Sequence, residues 1–167
     1  MEELSIDETF TVLIADDDYE DRMLIRDAFS ENRFRSDLRF VEDGEEVTNY
    51  LLRRDDYENP IDSPRPSLLI LDLNMPKKDG CETLSFLRGH PEFRSIPVVV
   101  FTTSNAGEEV DRAYSLGANS FLTKPVSYTE LCNMVNQLVQ YWFQMVVLPD
   151  SKREQDDGKI DPASTDY

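Results

Sequence analysis

No apolar run in this chain of 167 residues reaches the roughly 18 that a membrane-spanning helix needs. The opening stretch, MEELSIDETF, lacks both the basic start and the apolar core of a secretory signal. The sequence therefore predicts a soluble, cytoplasmic protein with no membrane attachment. Cysteine is scarce. Cys81 and Cys132 show no metal-site spacing and read as reduced thiols. The single histidine, His90, is followed by Pro91, which excludes a histidine cluster for catalysis or metal binding. Basic residues are also few, 17 Lys and Arg against 34 Asp and Glu, for a net charge of −17. Such a surface repels phosphate backbones and excludes direct binding of nucleic acid.

The chain does hold enough apolar residues, 40%, for one domain with a proper core. Short aliphatic runs recur at residues 11–15, 38–41, 68–71, 96–101 and 120–122, as buried strands do. Between them lie stretches of helical period, marked by Leu24, Ile25, Ala28 and Phe29, then Val47, Tyr50 and Leu51. Leu84, Phe86 and Leu87 mark the third, and Val110, Ala113, Tyr114 and Leu116 the fourth. Five strands alternating with five helices predict an α/β fold with a doubly wound, five-stranded parallel sheet. Residues 1–9 read as an N-terminal extension, 10–148 as the domain and 149–167 as an acidic, disordered tail. Residues 55–66, DDYENPIDSPRP, hold three prolines and no periodicity, so they read as an extended surface loop. No output domain is expected after the sheet.

In such sheets ligands bind beyond the carboxyl ends of the strands. The first strand ends in Asp16, Asp17 and Asp18, and the third ends at Asp72. The fourth ends at Thr102-Thr103-Ser104, and the fifth at Thr123-Lys124-Pro125. Three carboxylates brought together repel unless a hard divalent cation lies among them, and oxygen ligands in this number suit Mg²⁺. The cation would keep Asp72 ionised and nucleophilic. Lys124 and Thr102 offer an ammonium and a hydroxyl to phosphoryl oxygens. Asp18 reads as a helix cap.

These pieces, TVLIADDDYEDR, VEDGEE, LLILDLNMPKKDG, IPVVVFTTS and GANSFLTKP, resemble the receiver domain of two-component response regulators. Thr102 follows Asp72 by 30 residues and Lys124 follows Thr102 by 22, the spacing of that family. The resemblance implies a flavodoxin-like receiver topology. Asp72 would be the phosphoacceptor, charged by a sensor histidine kinase. Asp17 would ligate Mg²⁺ directly, Asp16 mostly through water, and the Asn74 carbonyl would add a further ligand. Thr102 would be the switch hydroxyl and Phe121 the switch aromatic. Lys124 would bind the phosphoryl group, next to a Lys124-Pro125 peptide expected to be cis. Asn74 and Ser104 would flank the phosphoryl group, and Thr103, larger than the Ala or Gly of many receivers, would hinder water. The KKDG turn, the Pro-rich insertion, FRSIPVVVFTTS and YWFQMVVLP are similar to the small regulators paired with phytochrome-type histidine kinases. That narrower likeness implies an upstream light sensor that itself carries the bilin.

Residues 128–148 predict one long last helix, about 30 Å at 1.5 Å per residue. Its second half, YWFQMVVL, is apolar nearly all round, unlike a surface helix. Trp142 and Phe143 read as interface anchors, which points to a homodimer built on the last two helices and the last strand. The expected function is a phosphorylation-controlled switch that turns over no external metabolite, its only catalysis being its own phosphorylation and dephosphorylation. The alternative is a Mg²⁺-dependent phosphohydrolase of haloacid-dehalogenase type. That chemistry wants a second acid two residues after the nucleophile, where this chain has Asn74. A flavodoxin-like cofactor binder is weaker still, because ADDD would repel an anion.

Overall fold

The computed structural model describes residues 9–149. The expected N-terminal extension and acidic tail lie outside the described residues, apart from Thr9 and Pro149.

Five parallel strands form one sheet in the order β2-β1-β3-β4-β5. They are β1 (Phe10–Ala15), β2 (Ser36–Val41), β3 (Leu68–Leu71), β4 (Val98–Thr102) and β5 (Ser120–Thr123). Strand direction alternates the side chains between faces, and both faces are covered, so the central strands are apolar throughout. Leu13, Leu69 and Leu71 pack with Val47, Tyr50 and Leu51 of α2 (Gly44–Leu52) and Leu84 and Leu87 of α3 (Gly80–Gly89). Ala113 of α4 (Gly107–Ser115) joins that side. Val12, Ile14 and Ile70 pack with Ile25, Ala28 and Phe29 of α1 (Tyr19–Ser30) and Leu131, Val135 and Val139 of α5 (Tyr128–Gln140). Each fully buried Leu or Ile contributes about 1.5–3 kcal/mol. The doubly wound architecture expected from the sequence is the one observed. The order of strands reverses between β1 and β3, which opens a crevice at their carboxyl ends.

Four of the five α-helices begin at an acid or a serine that caps them, and α4 begins after Ala106 with no side-chain cap. Asp18, Asp43, Asp79 and Ser127 each accept a backbone N–H three residues on, and Asp79 shares a capping box with Glu82. Asp18 is thus the helix cap it was expected to be.

Several elements differ from the sequence expectation. β4 starts at Val98, since Pro97 has no N–H for the ladder. In α1 Leu24 is 44% exposed and leaves the inner stripe to Ile25, Ala28 and Phe29. In α4 only Ala113 is buried, and Leu116 falls just past the helix end. The loop 55–66 contains a 3-10 turn at Asp55–Tyr57 and fully buries Ser63. Its far end is pinned by the Tyr50 hydroxyl donating to the Pro64 carbonyl at 2.6 Å.

The long last helix is the largest correction. Helix α5 ends at Gln140, and Tyr141–Met145 form a π-helical turn. Leu131, Val135, Val139 and Phe143 recur every four residues, which overshoots a 3.6-residue α-helical turn. The wider π turn keeps Phe143 on the inner face, where its ring stacks on Phe10 at 4.3 Å. Val146 is extended, close to the Leu148-Pro149 pair where proline disfavours a helix.

Candidate functional site

Strand register assembles the site. Ala15 pairs with Leu71, Leu71 with Val100, and Val100 with Phe121. The residues just past those strands therefore share one rim. Asp72 N–H donates to the Ala15 carbonyl at 2.9 Å and Asp16 N–H to the Val41 carbonyl at 3.1 Å. Lys124 N–H extends the β4–β5 ladder to the Thr102 carbonyl at 2.7 Å. Asp16 and Asp72 are buried, at 1% and 6% exposure, while Asp17 faces solvent. Asp16, Asp17 and Asp72 offer carboxylate oxygens that all lie within 4.8 Å of one another.

The Lys124 ammonium sits at the centre of this negative field. It lies 2.7 Å from Asp16 Oδ2, 2.8 Å from Asp21 Oδ2 and 2.9 Å from Asp72 Oδ2. Burial alone would lower its pKa, but hydrogen bonds to the three carboxylates outweigh burial and hold it above the usual lysine range. Burial raises the pKa of Asp16, and its bonds to Lys124 and to the Asp18 N–H offset only part of that rise. Two buried acids share one base here. The donor set fits a hard divalent cation, because oxygen-only ligands with surplus negative charge are what such an ion stabilises.

Thr102 is fully buried and its hydroxyl has no hydrogen-bond partner. Buried polar groups are rarely left so. Asn74 is exposed, and its N–H donates to Asp72 Oδ1 at 3.2 Å. Phe121 is half-buried against the α2–α4 side of the core, and its N–H donates to the Tyr114 hydroxyl at 3.1 Å. Thr103 is exposed and Ser104 half-buried. Contrary to expectation, the Lys124-Pro125 peptide is trans. The trans form is the intrinsically favoured one by about 0.5–1 kcal/mol.

The expected interface anchors do not sit together at the rim. Phe143 is buried in its own chain against Phe10. Trp142 is half-buried and lines a groove of about 840 Å³ between β5 and α5, with Leu122, Met134, Leu138 and Tyr141. Its upper end meets Lys124 and Pro125.

Two residues of the site carried no sequence signal. Asp21 is the third acid on Lys124. Arg22 is buried, donates to the Asp16 carbonyl at 2.7 Å and pairs with Glu42 at 3.1 Å. Arg22 thereby fixes the backbone that carries Asp16 and Asp17. Gly80 closes the other side, where a Cβ would meet the Asp72 carbonyl oxygen at 2.4 Å and Leu73 Cα at 2.7 Å. The turn after Asp72 can fold back this tightly only with glycine there.

The arrangement can hold a cation, present one carboxylate as a nucleophile, and surround an incoming anion with an ammonium and a hydroxyl. The chain is similar to known proteins over most of its length. The family model described as response regulator receiver domain matches residues 12–136. Response regulator Rcp1 of Synechocystis sp. is 36% identical over 138 residues, covering 83% of this chain and 92% of Rcp1. The crystal structure of the Mn(2+)-bound form of Rcp1 superposes with a TM-score of 0.77 at 35% identity, over 84% of this chain and 99% of that one. The phosphorylated cyanobacterial phytochrome response regulator RcpA gives a TM-score of 0.80 at 31% identity, over 86% of this chain and all of that one. The phosphohydrolase alternative gains no support, and its second acid is Asn74 here.

Proposed function

This chain belongs to the response regulator receiver domain family, and from that premise we propose that Asp72 accepts a phosphoryl group from a sensor histidine kinase. It is a receiver-domain response regulator of the two-component class, homologous to Rcp1 and RcpA, and not a conventional enzyme. The observation that carries the site assignment is the convergence of Asp72, Thr102 and Lys124 from three neighbouring strands on one buried rim.

In the transfer, an Asp72 carboxylate oxygen attacks phosphorus as the bond from phosphorus to the donor breaks, and the donor leaves with that electron pair. Asp16, Asp17 and Asp72, with the Asn74 carbonyl, would hold a Mg²⁺ ion, which when bound neutralises phosphoryl oxygens and keeps Asp72 ionised. Lys124 binds a phosphoryl oxygen and Thr102 donates its otherwise unpaired hydroxyl to another. Phe121, whose backbone is one ladder step from Val100, follows Thr102 and shifts the population of the α4–β5–α5 face towards a partner-binding form. The domain catalyses its own phosphorylation and dephosphorylation and acts in the cytoplasm.

The kinase is of phytochrome type in this reading, supported by the likeness to RcpA. Phosphotransfer from such a kinase, in competition with an unrelated histidine kinase, tests that pairing, and equal transfer from both counts against it. The site itself is tested by intact mass after incubation with acetyl phosphate and Mg²⁺. The native chain gains one phosphoryl group and Asp72→Asn gains none while keeping its thermal unfolding transition. Equal labelling of the two overturns the assignment.

A further inference from the structure

We propose that Asp21 is a positioning residue for the phosphorylation of Asp72: it tethers the Lys124 ammonium when no phosphoryl group is present and releases it when one arrives. This rests on Asp72 being the phosphoacceptor. An ammonium has three N–H donors and no more, and Lys124 spends them on three carboxylates, Asp16, Asp21 and Asp72. Its side chain is only 10% exposed, so little water stands in. No donor is left for a phosphoryl oxygen until one carboxylate lets go.

The three acids are not equally able to do so. Asp16 and Asp72 side chains are 2% and 7% exposed, whereas Asp21 is 34% exposed. A carboxylate that leaves Lys124 in a dry site loses its solvation, while one at the surface is rehydrated. Asp16 and Asp72 are also the acids assigned to the metal, so Asp21 is the partner left to hold Lys124 and to exchange. It also stands apart from the trio of Asp16, Asp17 and Asp72 whose oxygens converge. It lies four residues after Asp17, in the first turn of α1, where its N–H is held by the Asp18 cap at 3.0 Å. The charge of Asp21 also repels an incoming phosphodonor dianion, so tether and field both slow phosphorylation.

The test compares the native full chain with Asp21→Asn and Asp21→Glu. Asp21→Asn is expected to be labelled by acetyl phosphate several-fold faster at fixed Mg²⁺. Hydrogen exchange at the Lys124 ammonium, followed by nitrogen-15 NMR in metal-free protein, is expected to quicken about tenfold as one of its strong acceptors weakens. Mg²⁺ affinity by titration calorimetry should stay within about twofold, and Asp21→Glu should return both rates towards native. Labelling that is unchanged or slower overturns the proposal, as does unchanged ammonium exchange. A fall in Mg²⁺ affinity of tenfold or more also overturns it, by making Asp21 part of the metal site. If the native chain itself takes no label at Asp72, the acceptor assignment fails instead, and the two failures are told apart.

Discussion

Thr102 holds a hydroxyl that is completely buried and bonded to nothing among the described residues. Leaving such a group unsatisfied costs about 1–3 kcal/mol, a cost that the proposed contact with a phosphoryl oxygen would recover. Thr102→Val keeps the shape and deletes the polar atom. It is expected to match or exceed native stability by about 1 kcal/mol in denaturant unfolding and to take label on Asp72. Phosphorylation should then no longer shift the NMR signals of Phe121. A stability loss of more than about 1 kcal/mol would mean that the hydroxyl has a structural partner after all. Asp72, Thr102 and Lys124 were legible in the sequence because each ends an apolar run, and strand ends share an edge. Asp21 and Arg22 were not. An acid in the first turn of a helix is what the helix dipole favours in any case, and Glu20 stands beside it doing no more than that. Nothing in the pattern separates the acid that reaches Lys124 from its neighbour.

At the scale of elements, the strands and the first three helices followed from periodicity, since a parallel sheet covered on both faces leaves little ambiguity about what is inside. The end of the chain did not. YWFQMVVL is apolar nearly all round, which fits either an interface or a segment folded onto its own core. The structure divides it. The π turn carries Phe143 inward to Phe10, and Trp142 lines the β5–α5 groove. The homodimer expected from the sequence would use that groove and the outer edge of β5. Light scattering at tens of micromolar protein should give twice the chain mass, and Trp142→Ala should weaken association by about 2 kcal/mol, as for a central aromatic anchor. A monomer at that concentration, with and without phosphorylation, removes the dimer from the account.

At the scale of the whole molecule, a chain of net charge −17 sets Asp16, Asp17, Asp21 and Asp72 together at the edge where the sheet reverses its strand order. A negative field at that edge favours a cation and disfavours an anion. Transfer to Asp72 should therefore depend on the metal rather than merely improve with it. The direct measurement is to incubate the chain with acetyl phosphate, with and without Mg²⁺, reduce with borohydride and map the peptides. An acyl phosphate on an aspartate is reduced to homoserine, which marks the residue that carried it. The account predicts homoserine in place of Asp72 alone, and only when Mg²⁺ was present. Homoserine at Asp16 or Asp17, or equal reduction at Asp72 without the metal, would contradict it.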